Sequence, residues 1–325
     1  MTIDHSEHSK TERGSFRLDE TDKALALHWK SGSLKYSQFE LLKEGGVAKL
    51  YSCLDANLRR RVVYKTLHDR LIDDEIEVQR FIREARVTAN IAHPGTVPVH
   101  ELGRDRNGVP FFTMKLIHGR DLREVITSLK AGEPNTLRIF TLSSLLKILI
   151  QVCHVLAYAH TRGVIHRDLK PANVLTSQFD ASYVIDWGLA KVWGDPEHSN
   201  PRMTGQDDPA ITPVGRRYGT PLYMAPELAR GDAQIDARVD VFGVGHLLFE
   251  TLTHQNLLSG ETVEEVSYNL INKPLPRPSD VARTSIPHQL ETICIKALEK
   301  EPKDRYSDVV TLADDLSGFL RSLPN

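Results

Sequence analysis

Cysteine is scarce in this chain: Cys53, Cys153 and Cys294 are the three in 325 residues, far apart and odd in number. That argues against a disulfide framework and against any CxxC zinc or redox pair, and it points to a reducing compartment. Neither sign of charge is in excess, with 41 Lys and Arg against 43 Asp and Glu and a net charge of -2. Nucleic acid or an anionic membrane is therefore not expected as the main partner, and specificity has to come from a local site. Long hydrophobic runs are missing as well. The longest, Leu145 to Val152 and Val241 to Phe249, are interrupted by Lys147 and His246 and fall short of the ~20 residues that span a bilayer, so no transmembrane helix is expected. The N-terminal stretch carries Asp4, Glu7, Glu12, Asp19 and Glu20 with no apolar segment. It reads as neither a secretory signal nor a transit peptide, and a cytoplasmic location is the expectation. No GxSxG or HExxH occurs, which leaves a hydrolase reading without support.

What is present is an ordinary globular composition, 40% hydrophobic and 26% charged, enough for a sizeable core. Residues 1–35 mix charge, Ser and Thr without periodicity and are expected to form a mobile extension. From Tyr36 short strands are predicted at Phe39 to Leu42, Leu50 to Leu54 and Arg61 to Leu67, followed by a charged amphipathic helix over 74–91 that ends at His93, Pro94 and Gly95. Two further strands, near Val97 to Leu102 and Val109 to Lys115, flank Asn107 and Gly108, a pair that predicts a type I′ hairpin turn. Beyond Gly119 the period becomes helical: Leu142, Leu145, Leu149, Val152, Leu156 and Ala159 share one face. Asp240 to Leu252 is apolar nearly all round, which predicts a buried central helix, and amphipathic helices are expected at 288–299 and 306–321. The fold class is thus α+β: a small antiparallel sheet with one helix, about 36–116, and a larger, mainly helical part, about 117–320.

Chemistry concentrates between the long helix and a hydrophobic strand, in His166-Arg167-Asp168-Leu169-Lys170-Pro171-Ala172-Asn173 followed by Val184-Ile185-Asp186-Trp187-Gly188. Phosphoryl transfer asks little covalent work of a protein; it needs alignment of the acceptor and leaving oxygens and neutralisation of charge. In that scheme Asp168 accepts or orients an acceptor hydroxyl proton, Lys170 steadies the transferred group, and Asn173 with Asp186 offers oxygens to a hard cation.

At these residues the sequence resembles the serine/threonine protein kinases, and eukaryotic-like kinases of bacteria in particular. HRDLKPANV is similar to the catalytic loop and Asp186-Trp187-Gly188 to the metal-binding DFG motif, with Trp for Phe. Val62-Val63-Tyr64-Lys65 resembles the strand whose lysine grips the α- and β-phosphates, and Glu84 its ion-pair partner. Gly219 to Leu228, GTPLYMAPEL, resembles the end of an activation loop, with Glu227 matching the APE glutamate, Arg305 its buried partner and Asp240 the anchor of the catalytic loop. Lys170 two residues after Asp168, and Thr220 beside Pro221, are similar to the serine/threonine branch.

The resemblance implies a two-lobed kinase domain over 36–320, ATP with Mg²⁺ or Mn²⁺ in the cleft, a protein Ser or Thr hydroxyl as acceptor, and a homodimer for autophosphorylation. Leu42, Gly45, Gly46, Val47, Ala48 and Leu50 would cover the nucleotide, Met114 would be the gatekeeper, and Leu116 and Ile117 would follow as hinge residues. The span from Asp186 to Glu227 holds Thr204, Thr212, Tyr218 and Thr220, where phosphorylation would add a charge for Arg167 to bind; Thr212 is the favoured site, and Thr220 is expected in the substrate platform. The departure lies in the covering loop. Leu42 to Leu50 reads LKEGGVAKL, whereas the family pattern has glycines where Lys43 and Ala48 stand, leaving Gly45 in register with Gly46 beside it. Lys43 is the harder of the two to accommodate, and its replacement by glycine is expected to raise nucleotide affinity. This erosion motivates a second reading, a pseudokinase serving as a nucleotide-binding or scaffolding module. A third, a small-molecule kinase of the aminoglycoside or choline type, is disfavoured by Glu227 with Arg305.

Overall fold

The computed structural model describes residues 30–177, 180–192, 221–232 and 234–323. Strands β1 (Tyr36–Glu44), β2 (Ala48–Asp55), β3 (Arg60–Leu67), β4 (Val99–Arg104) and β5 (Pro110–Lys115) form one antiparallel sheet in the order β1-β2-β3-β5-β4. Because successive side chains leave a strand on opposite faces, neighbouring phenylalanines serve two clusters. Phe111 packs with Tyr36, Cys53, Val62 and Tyr64, whereas Phe112 packs with Leu67, Phe81 and Ala85 against helix α1 (Glu75–Asn90). That helix starts where predicted because Asp74 caps it, accepting from Ile76 N at 3.1 Å and Glu77 N at 3.2 Å.

Two expectations change in this region. The β4–β5 connection is not a type I′ turn, which needs a positive φ at both central residues; Gly108 has φ +81° but Asn107 does not have a positive φ. Instead Asp105 organises a longer turn, its carboxylate accepting from Asn107 N at 2.8 Å and Val109 N at 2.9 Å. The sheet also begins to recruit chain before Tyr36. Residues Gly32–Lys35 form a short 3₁₀ turn, Lys35 pairs with Glu101 at 2.8 Å, and Lys30 O accepts from Asn57 at 2.8 Å.

The helical part is built around α4 (Leu142–Thr161) and α6 (Arg238–Thr253). Every residue of α6 from Val239 to Thr253 is buried, as its all-round apolarity demands. Helix α4, 20 residues with a mean hydropathy of 1.6, is long and apolar enough to cross a membrane. Its apolar face is consumed within the protein: Leu146, Leu149, Val152, Leu156 and Ala159 join one core with α6, α9 (His288–Ala297) and α10 (Val309–Ser322). Between them lie α2 (Leu122–Lys130), α3 (Pro134–Ile139), α5 (Pro226–Arg230), α7 (Val263–Asn272) and α8 (Pro278–Val281). Short strands β6 (Gly119–Asp121), β8 (Val174–Ser177) and β9 (Ser182–Val184) make a small antiparallel sheet, and β7 (Val164–Ile165) pairs with β10 (Lys191–Val192). Both small sheets lie beside the loop that carries Asp168.

Candidate active site

A cleft of 560 Å³ opens between the five-stranded sheet and the helical part, within the range of small-molecule sites. Its roof is the β1–β2 turn, closed by Gly45 N donating to Ala48 O at 3.0 Å. The segment after β3 clamps this turn from outside. His68 N donates to Val47 O at 3.0 Å, His68 Nε2 lies 2.7 Å from Gly45 O, and Arg70 donates to Gly46 O. Since a trans peptide points its C=O and N–H in opposite directions, the clamp leaves the N–H groups of Gly46 and Val47 facing away from it. Register decides which roof side chains look inward. Leu41 pairs with Tyr51 and Lys43 with Leu50, so an irregularity at Leu42 drops that residue from the ladder. Leu42 is 51% exposed and stands outside the cleft lining, whereas Lys43, Gly45, Gly46, Val47, Ala48 and Leu50 line it. The expected position of Leu42 over the ligand is not met, for this reason.

The back wall is made by β3 and α1. Lys65 Nζ lies 2.5 Å from Glu84 Oε1, with side-chain exposures of only 14% and 12%, and 5.6 Å from the centre of the Phe112 ring. Burial acts to lower the Lys65 pKa, but the carboxylates of Glu84 and Asp186 outweigh it and hold the ammonium above its ordinary value. Met114 lies at the end of β5 in the cleft lining; Leu116 and Ile117, which follow it half-buried, do not line the cleft.

Beneath lie Asp168, Lys170, Asn173 and Asp186. Lys170 Nζ is 2.5 Å from Asp168 Oδ2, and Asn173 Nδ2 donates to Asp168 O at 2.9 Å. Two non-glycine residues here take left-handed backbone, Arg167 at φ +66° and Asp186 at φ +65°. Such conformations carry strain and persist where surrounding contacts fix them. For Arg167, Asp240 near the start of α6 supplies those contacts: Oδ2 accepts from His160 Nε2 at 2.7 Å and His166 N at 2.9 Å, and Oδ1 from Arg167 N at 3.0 Å. Burial would raise the Asp240 carboxyl, but these donors hold it below the usual carboxylate value. For Asp186 burial is likewise overcome, by the charges of Lys65, Lys170 and His166 and by the Gly188 N–H, and its pKa is lowered. Trp187 is fully buried, 4.7 Å from the His166 ring, with its indole N–H on Val184 O at 3.4 Å. The large side chain is thus a packing element.

Asparagine 173 sits behind the same wall, and Ile185 N donates to Asn173 O at 2.9 Å, tying the Asp168 loop to the Asp186 loop. The structure therefore brings Lys65, Glu84, Lys170, Asn173 and Asp186 to one cleft, with Asp168 held beside Lys170. Thr212 and Thr220 lie outside the described residues. Sequence reasoning missed His68 and Arg70, whose role depends on a fold-back contact that no local pattern announces. It also missed the Arg80–Glu77 pair at 2.6 Å; these two residues share the lining, and their i,i+3 spacing on a helix was the available signal.

Residues 36–316 match the protein kinase domain family. The chain belongs to that family. Among similar proteins, the serine/threonine-protein kinase PknD of Chlamydia felis is 31% identical over 298 residues, 89% of this chain and 31% of the relative. PknD of Chlamydia pneumoniae is 30% identical, with 89% and 31% covered, and the serine/threonine-protein kinase pkn3 of Myxococcus xanthus is 33% identical, with 89% and 50% covered. The chain thus spans about a third to a half of the length of these bacterial relatives.

As a kinase domain the chain implies a nucleoside triphosphate and a divalent cation. Its donor set fits such a cation. Asn173 spends its amide NH₂ on Asp168, which leaves the carbonyl oxygen for a metal, and Asp186 is kept ionised. One carboxylate and one amide oxygen suit a hard ion that takes its remaining ligands from water and phosphate. Among the described residues no cluster of three or more His, Cys, Asp or Glu could hold a metal by protein groups alone. Further from the cleft, Glu227 in α5 receives Arg305 through two bonds of 2.7 Å. This pair joins the segment before the helical core to the segment before α10.

Proposed function

We propose that this chain is a serine/threonine protein kinase that moves the γ-phosphoryl group of Mg-ATP to a Ser or Thr hydroxyl of a protein. The observation that carries the reading is the convergence, across one cleft, of the Lys65–Glu84 pair above and the Asp168–Lys170 pair beside Asp186 below. Lys65, fixed by Glu84, reaches the α- and β-phosphates, and the N–H groups of Gly46 and Val47 face the phosphate chain. Asp168 orients the acceptor hydroxyl and takes its proton as the new O–P bond forms and the bridging bond to ADP breaks. Lys170 stays on the transferred group. Asn173 and Asp186 hold Mg²⁺, or Mn²⁺ in its place, which neutralises phosphate charge when bound.

The choice of Ser/Thr over Tyr rests on Lys170 at hydrogen-bond distance from Asp168, on Thr220 beside Pro221, and on the names of the bacterial relatives. We place the domain at 36–320, with the smaller lobe ending near 116, in the cytoplasm where ATP and Mg²⁺ are supplied. Phosphorylation of Thr212, received by Arg167, and association of two copies for autophosphorylation belong to the same proposal. The eroded loop that motivated a scaffold reading still closes as a hydrogen-bonded, clamped turn, which favours catalysis.

The test is incubation of the purified chain with Mg-ATP and a generic protein acceptor, followed by mass spectrometry. Phosphoserine or phosphothreonine is expected from wild type and not from Asp168→Ala or Asp186→Asn. Equal signal from all three proteins would remove the catalytic reading.

A further inference from the structure

Four cationic side chains line the cleft: Lys43, Lys65, Arg80 and Lys170. Three have a carboxylate at short range, Lys65 with Glu84 at 2.5 Å, Arg80 with Glu77 at 2.6 Å and Lys170 with Asp168 at 2.5 Å. Lys43 has no ion pair among the described residues. Its strand neighbour Glu44 is engaged elsewhere, 3.8 Å from Lys49 and 3.8 Å from His68.

Register puts this side chain, although exposed, on the cleft face of the sheet. Lys43 pairs directly with Leu50 across β1 and β2, and directly opposed residues share a face of the sheet. Leu50 lines the cleft, so Lys43 does too, and the irregularity at Leu42 is what sets that register. The roof that carries it is held by His68 and Arg70, which limits how far the lysine could swing out with the turn. A cation on the cleft face, two residues before the Gly45-Gly46 turn and with no ion pair among the described residues, is arranged to meet a polyanion.

We propose that Lys43 is an additional phosphate-binding residue of this chain, one that makes affinity depend on the number of phosphates the nucleotide carries. The proposal rests on the nucleotide reading above and opposes the expectation that this side chain obstructs the site. In it, the lysine supplies by charge part of what glycine-only loops supply by close backbone approach.

The test is calorimetric titration of wild type, Lys43→Ala, Lys43→Gly and Lys43→Arg with adenosine, ADP and ATP, with Mg²⁺ present, at about 50 and about 300 mM salt. Lys43→Ala and Lys43→Gly should weaken ATP about five-fold, as one partly exposed charge contact does, ADP less, and adenosine not at all. The ATP effect should shrink at the higher salt, and Lys43→Arg should keep most of the affinity. Unchanged or tighter ATP binding by either neutral variant would overturn the proposal, and so would an equal loss for all three ligands, which marks packing rather than charge. Wild type that binds no nucleotide would instead sink the parent reading, and this one with it. Melting curves of the variants verify that the exposed substitution leaves the fold intact.

Discussion

Arg305 lays its two terminal nitrogens on the two carboxylate oxygens of Glu227, both at 2.7 Å, with side-chain exposures of 0% and 4%. The remaining N–H groups are used as well: Arg305 Nε donates to Glu299 O at 2.7 Å, Nη1 to Arg238 O at 2.8 Å and Nη2 to Lys300 O at 3.0 Å. All five donors of the planar fork are therefore satisfied. Lysine cannot reproduce this, because an ammonium has three donors and no fork. Glu227→Gln is expected to destabilise by about 3–5 kcal/mol, the range for breaking a buried pair and leaving a partner uncompensated, and Arg305→Lys, which keeps the charge but loses the fork, by about 1–3 kcal/mol. Urea denaturation measures this directly; a loss under about 1 kcal/mol would show that the site relaxes.

Asp240 predicts a pH dependence. Its folded pKa lies below that of an unfolded Asp, about 3.9, so it contributes stability that is fully present above the unfolded value. That contribution is lost as pH falls through the lower folded value. In Asp240→Asn the amide oxygen keeps an acceptor, but an NH₂ now meets backbone donors of His166 or Arg167. The variant should lose about 1–3 kcal/mol at neutral pH and show a flatter acid limb in stability measured from pH 7 to pH 3. Parallel acid limbs in the two proteins would refute the assignment.

Glu84→Gln isolates the charge on the back wall, since the amide keeps the size and can still accept from Lys65. With the carboxylate gone, the near partner left to Lys65 is Asp186, and the lysine is drawn toward it. We expect phosphotransfer to fall about 10–100-fold in kcat/KM, a loss of about 1.4–2.7 kcal/mol of transition-state stabilisation. A steady-state ATP titration on a fixed peptide acceptor reads this; parity with wild type would sink the role given to the pair.

Much of this site was legible in the sequence because its determinants are local. HRDLKPANV and DWG each fix several chemically committed residues within one short loop, and the α1 helix was readable from its charge pattern and its end at His93-Pro94-Gly95. What escaped depends on contacts between distant segments. Leu42 looked like a ligand-facing strand residue until the β1–β2 register placed Lys43 opposite Leu50. The clamp of His68 and Arg70 on Gly45 and Gly46 joins residues more than twenty positions apart through backbone carbonyls, for which side-chain identity gives no signal. The Asn107-Gly108 dipeptide misled because Asp105, two residues earlier, competes for the same amides and selects a longer turn.

Two glycines give a final contrast. A Cβ built on Gly119 would lie 1.7 Å from Thr176 O and 2.8 Å from Thr176 C, both backbone atoms of β8. No rotamer can relieve that clash, so Gly119→Ala has to push β6 away from the strand that continues directly from Asn173. A Cβ on Gly46, in the roof turn, would meet nothing within 4 Å. Gly119→Ala should therefore cost several kcal/mol, beyond the ~1–3 kcal/mol of ordinary overpacking, and should lower phosphotransfer through Asn173. Gly46→Ala should leave stability within about 0.5 kcal/mol of wild type, as surface changes do. Thermal melts of the two variants side by side test the comparison, and equal stabilities would show that the β6–β8 approach is looser than the structure places it.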